Sequence, residues 1–169
     1  MAYMDKNTYK FINKEDIKNI DNNDIIELDE MIAPIIQLLN LKGYKTSSSC
    51  SGHPYKDELI PGINIMYISS YITFEDGIIL PSYPKNAIIS TNSYIIDGSL
   101  NFTIKCYKDI IKINNSGSDY YRIYNKIVKV MKIWMKWAER LPDYNKSETV
   151  ESLINLLNKK KNKIKVFKS

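Results

Sequence analysis

The sequence is short of the residues that staple, kink or metallate a chain. It holds two cysteines (Cys50 and Cys106), one histidine (His53), six glycines and six prolines. Two cysteines allow one disulfide at most, and their spacing leaves that bridge open. Reduced thiols in a cytoplasmic protein are the expectation. The ordinary four-ligand Cys/His spacing of zinc sites is absent, so no metal site is expected. Walker and Rossmann glycine loops are missing, as is the zinc-deaminase signature. No apolar run approaches the ~20 residues of a membrane span, and the polar segment 1–10 does not read as a signal peptide. Arginine is nearly absent, since 22 of the 24 basic residues are lysine. Arginine makes the bidentate contacts to bases and phosphates, so its scarcity argues against extensive base readout.

What is present suits one globular domain. The 169 residues can bury a core that needs no covalent staple. The formal charge of +5 favours nucleic acid, an anionic cofactor or an acidic protein surface as partner. Residues 1–23 form a polar N-terminal segment with a short helical candidate near Glu15 to Ile20. Residues 24–158 read as the core domain, and residues 159–169 as a basic tail.

Within the core, Met31, Ile32, Ile35, Ile36 and Leu39 mark a helical stripe between Asp24 and Lys42, with Asp24 or Asp29 available as N-cap. Pro34 requires that helix to start near Glu30 or Met31, and Gly43 ends it. Tyr44 to Ser49 and Asn64 to Phe74 read as strands. Asp97-Gly98 predicts a tight hairpin between Ser93–Ile96 and Ser99–Tyr107. In the latter strand Leu100, Phe102, Ile104 and Cys106 share one face, and Asn101, Thr103 and Lys105 the other. Asp119 to Leu141 reads as a long helix that buries Tyr120, Tyr124, Ile127, Met131, Trp134, Ala138 and Leu141. A last helix is expected over Ser147 to Lys159, with Asn145 and Glu148 as its capping pair and Val150, Leu153, Ile154 and Leu157 inward. One α+β domain follows, with a central antiparallel or mixed sheet packed by N-terminal and long C-terminal helices.

The chemistry-bearing residues concentrate between Gly43 and His53. Lys45, Thr46, Ser47, Ser48, Ser49, Cys50, Ser51, Gly52 and His53 place a cation, hydroxyls, a thiol, an imidazole and a glycine within one strand-to-loop turn. Three readings are open: a bend held by local hydroxyl hydrogen bonds, an anion nest of successive N–H groups, or catalysis by Cys50 with His53 as base. Beyond the turn, Arg122, Lys126, Lys129, Lys136 and Arg140 fall in one stripe of the long helix, with Lys132 nearby. That stripe is either the solvated side of a core helix or a phosphate-binding face. Tyr67 and Tyr71 share one strand face, suited to stacking on bases or to packing.

The run Tyr44 to His53, with Tyr67 to Phe74 following, resembles the core of the tRNA wybutosine-synthesizing protein 3 family. The family's serine-rich segment matches Ser47, Ser48, Ser49, Cys50, Ser51 and Gly52; the next position, arginine in the family, is His53 here. The resemblance implies an α+β fold, S-adenosylmethionine as cofactor and methyl transfer to a hypermodified guanosine precursor in tRNA. The same turn, with Ile32 to Leu41 before it, is also similar to small phage and Gram-positive bacterial proteins that couple an apolar helix to a Cys-Ser-Gly-His turn. Three functional expectations result. The first is an RNA- or nucleotide-directed binding protein with an RNA-modifying role implied by the resemblance. The second is a phage-encoded, non-enzymatic inhibitor of a host nucleoprotein or immunity component. The third is a small cysteine hydrolase using Cys50 and His53.

Overall fold

Isoleucine-rich and tyrosine-rich stretches set the strands, and two amphipathic stretches set the helices. A computed structural model describes residues 1–52, 54–56, 65–85, 87–93, 100–107, 111–112, 117–152 and 154–155. Along the chain, β1 (Ala2–Asp5), β2 (Phe11–Ile12) and β3 (Ile25–Leu28) precede α1 (Ala33–Leu41). Then come β4 (Thr46–Cys50), β5 (Pro54–Lys56), β6 (Ile65–Phe74), β7 (Ile88–Ser93), β8 (Leu100–Tyr107), β9 (Ile111–Lys112) and α2 (Gly117–Arg140). Residues 146–152 and 154–155 are helical as well.

The strands form two antiparallel sheets, which together with the helices give the expected α+β domain. The smaller has the order β2-β1-β3, and the larger the order β4-β6-β8-β7. In the larger sheet β6 is the hub: its second half pairs β4 and β8, and its first half pairs β5 and β9. β7 lies antiparallel to β8 with Ser93 opposite Leu100, as a hairpin requires. The Asp97-Gly98 turn itself lies outside the described residues.

One continuous core joins both sheets to both helices. Met4 and Leu28 enter it from the small sheet, and Ile72 and Phe74 from β6. Ile32, Ile35, Ile36 and Leu39 enter from α1 and its first turn, facing Ile127, Met131, Trp134 and Ala138 of α2. The boundary drawn at residue 23 therefore runs through a sheet, because β1 and β3 pair directly across it. Cys106 stands opposite the buried Ser70 in the β6–β8 ladder.

The N-terminus of α1 departs from the sequence expectation. Ile32 takes the N-cap position with no side-chain cap, and Pro34 sits in the first turn, where a missing N–H costs nothing. Neither Asp24 nor Asp29 caps the helix. The Asp29 backbone carbonyl accepts from Ile32 and Ala33, and its carboxylate accepts from Ser51. The C-terminus behaves as expected: Gly43 has φ +89°, the Gly43 N–H reaches Asn40 O, and the Tyr44 N–H reaches Leu39 O at 2.9 Å. That pair of bonds is the Schellman closure.

Two expected core positions are corrected. Tyr124 is 55 % exposed; among the described side chains of α2, Ile127 is the first to enter the core. Ile154 is 51 % exposed; the residues held inward near it are Thr149 and, in part, Val150. Asn145 does cap this segment, its Oδ1 accepting from the Glu148 N–H at 3.4 Å. Tyr120, Leu153 and Leu157 fall outside the described side chains, and the basic tail 159–169 outside the described residues. Among the described residues no helix is long and apolar enough to cross a membrane.

Candidate functional site

The serine-rich turn is built from groups that already hold one another. Lys45 donates through Nζ to the Tyr9 hydroxyl and lies 4.1 Å from the centroid of that ring. Tyr9 has the positive φ of 56°, a cost usually offset by surrounding contacts; its carbonyl accepts from Gln37 Nε2 at 2.8 Å. Thr46 is gripped at both ends by Asn40. Its N–H donates to Asn40 Oδ1 at 3.1 Å, and its hydroxyl accepts from Asn40 Nδ2 at 2.8 Å. A register shift follows between Thr46 and Ser48. This bulge leaves Ser47 and Ser48 exposed. The Ser49 hydroxyl is shielded from solvent and has no partner among the described residues.

At the far end the turn closes inward. Cys50 is a reduced thiol only 7 % exposed, and the Gly52 N–H points at its sulfur from 3.4 Å. The Ser51 N–H and hydroxyl both donate to Asp29 Oδ2, at 3.0 and 3.3 Å. Ser70 Oγ donates to Ser51 O at 2.6 Å. The N–H and hydroxyl of Ser51 thus meet a carboxylate, as an anion nest would, but the carboxylate is the chain's own. Gly52, with φ +103°, makes that backbone path free of Cβ strain. His53 lies outside the described residues.

Tyr67 and Tyr71 both lie in β6. Tyr71 is half-buried and pairs with Cys50 on one side and Lys105 on the other. Tyr67 is placed opposite Tyr55, and its side chain lies outside those described.

The basic stripe of α2 is open. Arg122, Lys129, Lys136 and Arg140 are exposed and Lys126 is half-buried, on steps of four, three, seven and four residues that keep one line along a helix. Among the described residues, none of Lys129, Lys132, Lys136 or Arg140 has an ion-pair partner; the recorded pair is the N-terminal ammonium with Glu30 at 2.8 Å. At its C-terminal end the line borders a cleft of about 440 Å³. Lys136, Trp137 and Arg140 form one wall, and Ser82, Tyr83 and Lys85 the other. Trp137 fastens the walls together, its Nε1 donating to Ser82 O at 3.1 Å and Ser82 Oγ at 3.2 Å. Tyr83 is 44 % exposed. Among the described residues, no carboxylate lines the cleft.

Lys85, Tyr83 and Ser82 are the residues that sequence reasoning missed. They sit in an irregular stretch with no periodicity, and only the fold carries them to α2. A second hollow of about 280 Å³ between α1 and α2 is lined by Met31, Met131, Met135 and other apolar side chains, with Lys132 at its edge. Among the described residues no group of three or more His, Cys, Asp or Glu gathers to hold a metal. No protein-family model matches the chain, and neither the curated proteins nor the solved structures contain a significant match to it.

Proposed function

We propose that the protein binds RNA along the basic line of α2, as a sequence-tolerant reader of the phosphate backbone. The observation that carries this reading is the row of exposed cations Lys129, Lys136 and Arg140, without ion-pair partners among the described residues, ending in a cleft that adds Lys85 and the exposed ring of Tyr83. Lysine contacts position a strand without reading its bases, and an exposed aromatic ring beside them supplies stacking that every base accepts. The serine-rich turn contributes less to this reading than its composition suggests, because Lys45, Thr46 and Ser51 are engaged within the fold.

The test is fluorescence anisotropy of a labelled single-stranded RNA with the full chain. Affinity falls with added salt, with a log–log slope of about −0.7 for each phosphate neutralised. The triple variant Lys129→Glu, Lys136→Glu, Arg140→Glu binds far more weakly and with a shallower slope, while Lys18→Glu, on the N-terminal segment, changes little. Unchanged binding by the triple variant rejects the reading. So does equal binding to heparin and to RNA, which would mark mere polyanion attraction.

A partner protein is the second reading, favoured by Tyr121 and Tyr124, 70 % and 55 % exposed on either side of Arg122. Tyrosine and arginine are enriched at binding hot spots. A defined complex with an acidic protein, formed without RNA and lost in the Tyr121→Ala, Tyr124→Ala variant, would support it.

A further inference from the structure

We infer that the cleft between residues 82–85 and the last turns of α2 is a nucleotide site, one that takes a phosphate together with its base. The inference deepens the RNA-binding reading and rests on it for the identity of the strand; the cleft's own chemistry is independent of strand length.

Three cations reach the cleft from two elements: Lys85 from the irregular stretch after β6, and Lys136 and Arg140 from α2. The two helical cations are one turn apart, on neighbouring positions of a single face. Among the described residues, none of the three has an ion-pair partner and no carboxylate lines the cleft to neutralise them. A site so lined selects an anion, and arginine beside lysine suits phosphate oxygens.

Charge alone would be met by an open surface. The cleft adds depth and rings. Its volume of about 440 Å³ lies within the range of small-molecule sites, which are mostly apolar with a few placed polar groups. Trp137 is nearly buried, and its indole N–H is spent on Ser82. The indole therefore works as a fixed wall, with no donor left to read a base. Tyr83 is the exposed ring on the opposite wall and is the one free to cover a base. Ser82, already accepting from Trp137, holds that wall in register. The arrangement fits a nucleoside monophosphate, or the phosphorylated end of a strand, with its phosphate on Lys136, Arg140 and Lys85 and its base against Tyr83.

Calorimetry on the full chain tests this with adenosine 5′-monophosphate, adenosine and inorganic phosphate as probes. The monophosphate is expected to bind about tenfold or more tighter than either part alone, since charge-assisted contacts and stacking act together. Lys136→Gln with Arg140→Gln weakens the monophosphate by about tenfold or more. Tyr83→Ala weakens it about fivefold or more through lost stacking but leaves phosphate binding unchanged. All three side chains are exposed, so thermal melting should show these variants folded; the Lys18→Gln variant serves as control.

Oligoadenylate decamers with a 5′-phosphate or a 5′-hydroxyl separate the two sources of ligand. Tighter binding of the phosphorylated decamer assigns the cleft to a strand end, and equal binding assigns it to free nucleotide. A monophosphate that binds no tighter than phosphate, or that ignores both variants, overturns the inference even if decamers still bind with their salt dependence. If the monophosphate binds as expected and the decamers do not bind, the cleft stands and the strand reading falls.

Discussion

Tyr44 shows how much a single side chain can be asked to give up. Its ring is fully buried and meets Tyr144 edge-on, with centroids 5.1 Å apart, yet its hydroxyl has no partner among the described residues. A buried, unsatisfied hydroxyl costs about 1 kcal/mol or more. Tyr44→Phe is therefore expected to leave stability unchanged or raise it by about 1 kcal/mol, read from urea unfolding near neutral pH. The same group contributes at the alkaline end. Burial above all, and then Tyr144 and Asp143, push the Tyr44 phenol above its ordinary 10.0. An unfolded chain ionises this phenol first, so stability is intact below that ordinary value and declines as pH rises through the folded one. In Tyr44→Phe that part of the alkaline decline should vanish; an identical decline in both proteins would refute the assignment.

Asp5 contributes at the acid end. The Thr8 N–H, donating at 2.6 Å, is the main reason its carboxyl lies below the usual range, with the Thr8 hydroxyl second. Here the folded group is the stronger acid. Its contribution is complete above the ordinary carboxylate value and is lost as pH falls through the depressed one. Asp5→Asn should flatten the acid limb of stability against pH, measured by the same unfolding series.

At the scale of elements, one lysine ties the end of α1 to the end of α2. Lys42, just past α1, sends Nζ to three carbonyls at the end of α2: Ala138 at 3.0 Å, Glu139 at 2.8 Å and Leu141. A cation at a helix C-terminus satisfies bare carbonyls and opposes the dipole. Next to it the Tyr144 N–H donates to Lys42 O at 2.7 Å, and a Cβ at Gly43 would stand 3.0 Å from Tyr144 Cβ. Lys42→Met, which keeps the stem and removes the ammonium, is expected to cost about 1–3 kcal/mol. The measurement is the urea midpoint at constant slope; no shift would show the three contacts to be idle. Trp137→Phe tests the other tie. It keeps the wall of the cleft but releases Ser82, and should lower stability by about 1 kcal/mol and weaken nucleotide binding in the same calorimetry.

Elements were also where the sequence was easiest to read, and for a physical reason. Gly43 after an apolar stripe, the isoleucine-rich run of β6 and the 3.6-residue pattern of α2 are local signals, and the local structure obeys them. Tyr124 misled because helical spacing assigns a residue to a face without showing whether anything packs over it there. The candidate site was harder. Asp29 looked like a cap because caps are local, whereas its carboxylate answers Ser51 across 22 positions of sequence. Lys45 looked available because nothing nearby in sequence reveals Tyr9, 36 positions away. The cleft was half legible: Lys136 and Arg140 follow helical spacing, while Lys85 reaches them only through the fold.

For the whole molecule, the segment before β3 is the informative one. It is polar in composition, and polarity alone suggests an appendage to the core. Yet β1 supplies Met4 at 0 % exposure, and its ladder pairs Ala2 to Asp5 with Leu28 to Ile25. Removing residues 1–23 would empty the Met4 socket, at about 2–5 kcal/mol for a buried side chain of that size. It would also strip β3 of its only partner among the described residues and leave Lys45 without Tyr9. A domain of ordinary stability holds about 5–15 kcal/mol in all, so the loss takes a large share. The truncated chain should unfold at a much lower urea concentration and with a smaller slope, as expected where less surface is buried in the native state. A midpoint and slope equal to those of the full chain would mean that the small sheet rests on the core without supporting it.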